Sequence, residues 1–185
     1  MSDCDEKNLI EAAQKDPLVF GALYERYVDR IYSYIFHRVG NVCDAEDLTS
    51  RTFFRAFSHL ADYRDQGYPF SAWLYRIAHN LVANWHRDRS RRPLITLDEI
   101  VAKSLSEQHP EVVAEARDTI RLLREIIRTL DPTRQELLVL KFAEGLSNAE
   151  IGKILGRSEG AIKSLYHRTL LQLREEMQKR ERGEE

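Results

Sequence analysis

Residues 146–163 read LSNAEIGKILGRSEGAIK, and this stretch decides the fold of the second half of the chain. Ser147, followed three residues later by Glu150, forms a capping box, which is typical of a helix N-terminus. Gly156 is expected to end that short helix, because glycine accepts the left-handed conformation found at helix ends. Ser158 is expected to cap the next helix. Two helices joined by a glycine turn predict a helix-turn-helix.

The second helix of this motif is predicted to be amphipathic, with inward positions Ile162, Tyr166, Leu170 and Leu173. In the first helix, Gly152 is expected where the two helices cross closely. The opposite face of the second helix carries groups that reach phosphates and base edges. These candidate DNA-binding residues are Arg157, Ser158, Glu159, Gly160, Lys163, Ser164, His167 and Arg168. A solvated, charged helix of a bundle is the alternative.

Helical periodicity also dominates the first half of the chain. Apolar residues recur at three- and four-residue intervals within 20–35, 45–60 and 70–85, so each range predicts one helix. Trp73 and Trp85 fall on the third apolar stripe and are assigned to the core. No run of strand length alternates between apolar and polar residues, so the fold class is predicted to be all-α.

We expect two small helical domains joined by a flexible linker. Residues 90–110 carry little periodicity, are polar and acidic, and contain Pro93 and Pro110 near their ends. The predicted division is 1–89 for the first domain, 90–117 for the linker and 118–185 for the second domain.

The overall charge is balanced, with 28 Lys+Arg against 30 Asp+Glu, but its distribution is uneven. Basic residues concentrate in 76–92 and again in 153–174, whereas 98–115 is acidic. A basic, acidic, basic arrangement favours two binding modules and a spacer.

Several functional classes are disfavoured. Cys4 and Cys43 show no metal-ligand or disulfide spacing, so no metal and no cofactor are expected. Motifs of hydrolases, nucleotide-binding enzymes and metalloproteases are missing, so no catalytic residues are assigned. The acidic N-terminus does not resemble a secretory signal, and no apolar run is long enough to cross a membrane. A cytoplasmic protein without membrane contact of its own is expected.

Three segments of the first half carry a family resemblance: YERY at 24–27, DAEDLTSRTFFRA at 44–56 and FSAWLYRIAHN at 70–80. They closely resemble region two of bacterial extracytoplasmic-function (ECF) sigma factors, a branch of the superfamily that includes the housekeeping sigma factors. Residues 118–177 resemble region four. The helix-turn-helix by itself also resembles that of response regulators, but a helical first half does not fit their receiver domain.

The resemblance implies an alternative sigma factor, which binds core RNA polymerase, recognises promoter elements and promotes DNA opening. The implied polymerase contacts are the clamp helices of the largest subunit and the flap of the second-largest subunit. An anti-sigma factor is a further expected partner. Two other functions stay open at this point: a helix-turn-helix regulator that does not associate with polymerase, and a helical adaptor protein.

The clamp helices would be contacted by the second predicted helix, through Asp47, Arg51, Phe54 and Arg55. Packing of Phe54 against a neighbouring helix is the alternative. The minus-thirty-five element would lie on the helix-turn-helix face described above. There, Leu165 stands where the family often has a basic residue, so a phosphate contact at this position is not expected.

The minus-ten element would contact the loop before the third helix and one face of that helix. The loop candidates are Tyr63, Arg64, Gln66 and Tyr68, which would hold a flipped-out base. On the helix, the face opposite Trp73 and Ile77 is predicted to contribute Arg76, His79, Asn80, Ala83, Asn84 and Arg87. Asn80 is expected to discriminate between bases, because an amide offers both a donor and an acceptor.

Overall fold

The computed structural model describes residues 3–88 and 113–182 of the chain. All regular secondary structure in these residues is helical, which confirms the predicted all-α fold. The chain divides into two compact units, Met1–Leu94 and Ile95–Glu185. Most of the predicted linker, residues 90–117, lies outside the described part, so the predicted domain boundaries stay a prediction.

The described part of the first unit consists of helices with two short 3-10 turns between them, at Pro17–Val19 and Leu60–Asp62. The helices are α1 (Asp3–Lys15), α2 (Phe20–Val39), α3 (Val42–Ser58) and α4 (Phe70–Asp88). Local signals set their ends. The Leu18 amide donates to the Asp16 side chain at 3.0 Å, and the Asp44 amide donates to the Asn41 side chain at 3.0 Å. Gly40 ends α2 in the left-handed conformation.

The core of this unit lies between α2, α3 and α4. The stripe predicted for α3 is confirmed, since every member is buried: Ala45, Leu48, Thr52, Phe53, Ala56 and Leu60. Thr52 is tolerated there because its hydroxyl donates to the Leu48 carbonyl at 2.7 Å. Tyr34 of α2 and Tyr75 of α4 meet edge to face, with ring centroids 5.3 Å apart.

Helix α1 was not predicted from the sequence. Among its side chains that the structure describes, Ile10 and Ala13 are buried and the others are exposed or half-buried. Two apolar positions in a charged segment make too short a stripe to indicate an amphipathic helix.

The positions of the two tryptophans of α4 differ from the prediction that both belong to the core. Trp73 and Trp85 are half-buried and do not belong to the fully buried stripe, which instead includes Leu74, Tyr75 and Val82. The buried stripe is therefore rotated toward Tyr75 and Val82. Trp73 consequently lies at the edge of the core.

The second unit contains α5 (Val113–Thr129), α6 (Pro132–Leu138), α7 (Asn148–Leu155) and α8 (Glu159–Glu181) in its described residues. A π turn, Val139–Ala143, extends α6. Helix α5 begins inside the segment that the sequence assigns to the linker. The Gln135 side chain joins α6 to the end of α5 by donating to the carbonyls of Ile127, Arg128 and Leu130 at 2.9, 3.1 and 3.0 Å.

The inward face of α8 differs from the prediction. Its buried residues are Ile162, Leu165, Thr169 and Leu173, whereas Tyr166 is half-buried and Leu170 is 39% exposed. The predicted stripe was wrong because it left out Thr169, whose hydroxyl donates to the Leu165 carbonyl at 2.8 Å and is thereby satisfied in the core. Leu165 is a core residue, which explains why an apolar residue stands there.

Candidate nucleic-acid and protein interfaces

The helix-turn-helix consists of α7, a turn at residues 156–158, and α8. The capping box is formed, since the Ser147 amide donates to the Glu150 carboxylate at 2.6 Å and the Glu150 amide donates to the Ser147 hydroxyl at 3.2 Å. Gly156 has φ +65°, a left-handed conformation that glycine adopts without strain. The helix-turn-helix, its capping box and its glycine turn therefore agree with the prediction.

Gly152 lies where the backbone of the turn leaves no room for a side chain. A Cβ at this position would lie 2.6 Å from the Arg157 carbonyl oxygen and 3.5 Å from the Glu159 amide nitrogen. The close approach therefore involves the turn and the start of α8. A side chain at this position would push the turn away from α7.

The face of α8 predicted to bind DNA is solvent-exposed throughout: Arg157, Ser158, Glu159, Gly160, Lys163, Ser164, His167 and Arg168. Within it, Lys163 Nζ lies 2.8 Å from Glu159 Oε1, and Arg168 Nε donates to the Ser164 carbonyl at 3.3 Å. Lys163, Arg157 and Arg168 leave the face positively charged. It therefore presents cations and hydroxyls to solvent, as binding in a DNA groove requires.

The loop between α3 and α4 lies against α1. Gln14 Nε2 donates to the carbonyls of Leu60 and Tyr63, both at 2.9 Å. Lys7 Nζ approaches Asp65 Oδ2 at 3.5 Å, a weaker exposed contact. Helix α1 therefore holds the backbone of the loop in place. Sequence reasoning missed Gln14 because α1 itself was not recognised.

A cleft of about 550 Å³ lies between α1 and this loop. Tyr63, Arg64 and Tyr68, three of the four predicted loop residues, line it together with Phe70, whereas Gln66 is exposed and is not among the lining residues. The Arg64 guanidinium donates to the carbonyls of Ala61 and Tyr63 at 3.0 Å. The acidic residues that line the cleft are Glu6, Glu11 and Asp65, against the cations Lys7 and Arg64.

Tyr63 connects this cleft to the aromatic residues of α4. Its ring centroid lies 4.9 Å from that of Trp73 and 5.3 Å from that of Phe70. Burial raises the pKa of the Tyr63 phenol, and the negative charges of Asp65 and Glu6 raise it further. The hydroxyl therefore stays neutral at physiological pH and can donate a hydrogen bond in the cleft.

The outer face of α4 carries the remaining candidates. Arg76, Asn80, Ala83 and Arg87 are exposed, while His79 and Asn84 are half-buried. The prediction that this face lies opposite Trp73 and Ile77 was wrong. Seven residues make about two helical turns, so Asn80 lies on the same side of α4 as Trp73. Both residues line one shallow pocket of about 250 Å³, together with Ile77 of α4, Arg55 of α3 and His59.

The predicted polymerase-binding face of α3 lies on the surface. Phe54 is 72% exposed, so it does not pack against a neighbouring helix. On the same side of α3, Arg51 Nη1 lies 3.4 Å from Asp47 Oδ2. Arg55 is exposed one helical turn after Arg51, and it also lines the pocket that contains Asn80. An exposed aromatic ring beside an ion pair is typical of a protein-binding surface.

Within the described residues, no cluster of histidine, cysteine, aspartate and glutamate side chains is arranged to hold a metal ion. No described helix combines the length and apolarity needed to cross a membrane.

Comparison with known proteins identifies the class. Residues 23–92 match the family model for sigma-70 region 2, and residues 120–173 match that for sigma-70 region 4. The chain is 31% identical over 185 residues to the ECF RNA polymerase sigma factor SigW of Bacillus subtilis, covering 93% of this chain and 96% of SigW. The chain therefore belongs to the ECF sigma factors.

Other relatives agree with this assignment. The ECF sigma factor BldN of Streptomyces coelicolor is 42% identical over 164 residues, which cover 88% of this chain and 62% of BldN. The structure of CnrH in complex with the cytosolic domain of CnrY matches with a TM-score of 0.61 and 25% identity, over 91% of this chain and 94% of CnrH. The family makes the chain an alternative sigma factor for transcription initiation and not an enzyme.

The role of Gln14 can be tested without any partner. We expect Gln14→Ala to accelerate hydrogen exchange of the amides in residues 60–69 about tenfold, since two hydrogen bonds of roughly 0.5–1.5 kcal/mol each are lost. Gln14→Glu should accelerate it more, because an ionised carboxylate cannot donate to the two carbonyls. The control is Asn8→Ala on the exposed side of α1. Equal exchange rates in Gln14→Ala and Asn8→Ala would contradict this role.

Proposed function

We propose that this sigma factor acts in the cytoplasm and that each of its two units binds a different promoter element. The first unit would dock on the clamp helices of core RNA polymerase through Asp47, Arg51, Phe54 and Arg55. It would bind the minus-ten element through the α3–α4 loop and α4. The second unit would bind the minus-thirty-five element with the exposed face of α8, and would contact the polymerase flap.

The observation that carries this proposal is the separation of two surfaces within the first unit. Phe54 points to solvent from α3, while Asn80 belongs to a concave surface that α3 and α4 share. A protein partner and a DNA strand could therefore bind this unit at the same time, as a sigma factor requires.

The cleft under α1 supports a role in DNA opening. Tyr63 and Tyr68, which are half-buried, offer aromatic rings to a base that has left the duplex, and stacking contributes about 1–3 kcal/mol per base. This is comparable to the cost of unstacking a base, so the cleft would stabilise the opened strand. Arg64, whose guanidinium is bound to the loop backbone, would shape the cleft, while exposed Gln66 would contact the strand outside it.

An anti-sigma factor is the further partner we propose. The related CnrH was solved with the cytosolic domain of CnrY bound. Phe54 of the first unit and Phe142 and Leu171 of the second are exposed apolar side chains that such a partner would cover.

The decisive experiment is run-off transcription with purified protein, core RNA polymerase and a library of promoter sequences. We expect initiation at a subset of promoters that share two sequence elements. A helix-turn-helix regulator without polymerase affinity would give no initiation, and an adaptor would give no sequence preference. Either result would refute the proposed function.

Asn80 provides a specific prediction within this assay. Asn80→Ala should change the relative initiation from promoters that differ at one minus-ten position by about tenfold. A base-reading amide contributes roughly 1–3 kcal/mol of discrimination between bases. Affinity for core polymerase should not change. The control is Gln178→Ala, an exposed amide near the end of α8 that belongs to neither DNA surface. If Asn80→Ala initiates from the same promoters with the same relative efficiency as the wild type, Asn80 does not discriminate between bases.

A further inference from the structure

Helix α1 precedes the residues that match the region 2 family model, so membership of the family assigns it no role. It nevertheless forms one wall of the cleft beside the α3–α4 loop. Ile10 and Ala13 are buried, and Gln14 donates to the loop carbonyls of Leu60 and Tyr63 at 2.9 Å. Helix α1 is therefore packed as an integral wall of this cleft.

The wall that α1 contributes is acidic. Glu6 and Glu11 line the cleft from α1 and Asp65 lines it from the loop, whereas the lining cations are Lys7 and Arg64. Both cations are already engaged. Lys7 Nζ lies 3.5 Å from Asp65 Oδ2, and the Arg64 guanidinium donates to backbone carbonyls at 3.0 Å. The α1 side of the cleft is therefore negatively charged.

The two glutamates of α1 differ in their partners. Glu6 is half-buried, and its Oε1 lies 3.9 Å from Arg26 Nη2 of α2. Its charge also acts on Tyr63, since burial raises the pKa of that phenol most and the charges of Asp65 and Glu6 raise it further. Glu11 is exposed and makes no hydrogen bond or ion pair within the described part of the chain. Glu11 is thus an uncompensated negative charge at the cleft.

These carboxylates act against the entry of DNA. A single strand carries one negative charge per nucleotide, and exposed charges repel one another over about 8–10 Å at moderate ionic strength. A base in the cleft would bring its flanking phosphates toward Glu6 and Glu11. Helix α1 thus has two opposed effects, because Gln14 holds the loop in shape while the two glutamates repel the strand.

We propose that α1 is an autoinhibitory element, whose carboxylates at the cleft keep the free protein from binding single-stranded DNA before it joins core RNA polymerase. This inference rests on the proposed function, because it takes the cleft to be a place where DNA enters. The repulsion requires no movement of α1. In the holoenzyme, contacts between the polymerase and the strand would outweigh it.

The test uses the free protein and a fluorescent single-stranded oligonucleotide that carries the minus-ten sequence selected in the run-off assay. At low salt, Glu11→Gln should bind this strand about threefold more tightly than the wild type, and the double variant Glu6→Gln, Glu11→Gln about tenfold more tightly. Glutamine keeps the size and the helix propensity of glutamate while removing its charge. The gain should shrink at high salt, because exposed charges are then screened.

Glu25→Gln is the matched control, since Glu25 is an exposed glutamate of α2 that does not line the cleft. It changes the net charge as Glu11→Gln does and should leave the affinity nearly unchanged. Gln14→Ala should weaken binding, because the loop loses its anchor.

If Glu11→Gln and the double variant bind no more tightly than Glu25→Gln, the inference is overturned. If the wild-type holoenzyme gives no initiation in the run-off assay, the proposed function fails instead. The two failures are therefore distinguishable.

Discussion

Replacing Phe54 with alanine should weaken binding to core RNA polymerase by about 30-fold or more, without changing the free energy of unfolding. The ring is 72% exposed, so its removal leaves no cavity in the protein. An aromatic anchor at the centre of an interface commonly contributes about 2 kcal/mol or more, which corresponds to that change in affinity. Fluorescence anisotropy with labelled protein and core polymerase measures the affinity.

The adjacent residue supplies the matched control. Phe53 is buried, and its ring lies 4.8 Å from that of Tyr24, so Phe53→Ala should cost about 3–5 kcal/mol of stability. Phe53→Ala should thus lower the stability of the fold, whereas Phe54→Ala should lower the affinity for core polymerase. If Phe54→Ala binds core polymerase as tightly as the wild type, the outer face of α3 is not the docking surface.

Exchanging the charges of the neighbouring ion pair tests the same surface independently. The double variant Asp47→Arg, Arg51→Asp keeps an opposite-charge pair at the i, i+4 spacing, so helix stability should change by no more than a few tenths of a kcal/mol. Its charge pattern toward a partner is reversed, so polymerase binding should be lost. Unchanged binding of this variant would show that charge on this face does not guide docking.

Substituting Gly152 with alanine should destabilise the second unit by about 2–3 kcal/mol. The added Cβ would lie 2.6 Å from the Arg157 carbonyl oxygen, and a backbone atom cannot move aside as a flexible side chain would. For a unit of this size, such a loss lowers the melting temperature by roughly 10–20 °C. Recognition of the minus-thirty-five element should fall with it, because the turn that orients α8 is displaced.

The two units can be followed separately during unfolding. Trp73 and Trp85 are the two tryptophans of the chain, and both lie in the first unit. Tryptophan fluorescence therefore reports on the first unit, whereas far-ultraviolet circular dichroism reports on both. Gly152→Ala should shift the circular dichroism transition and leave the fluorescence transition in place.

Gly160 is the control for glycine replacement in the same motif. A Cβ there meets nothing within 4 Å, and replacing glycine by alanine in a helix gains roughly 0.5–1 kcal/mol. Gly160→Ala should thus be neutral or stabilising. Equal melting curves for Gly152→Ala and the wild type would show that the turn relaxes around the new methyl group.

Much of the fold could be predicted because its signals are local. Ser147 with Glu150, Gly156 and Ser158 determine their helix ends through hydrogen bonds and backbone conformations that span only a few residues. The exposed face of α8 was also predicted correctly, since charged side chains in a row seldom enter a core. The buried stripe of α8 was not predicted correctly. The burial of Thr169 depends on a hydrogen bond to its own helix, and composition does not reveal that bond.

The sequence by itself determined the helical class and the helix-turn-helix, because helical periodicity and capping act within one segment. Only the tertiary structure decided that α1 holds the loop through Gln14, and that Arg55 of α3 and Asn80 of α4 line one pocket. Those contacts join residues far apart in the chain. Periodicity shows which side of a helix is apolar. The packing of the neighbouring helices decides which residues that side and its edges contact.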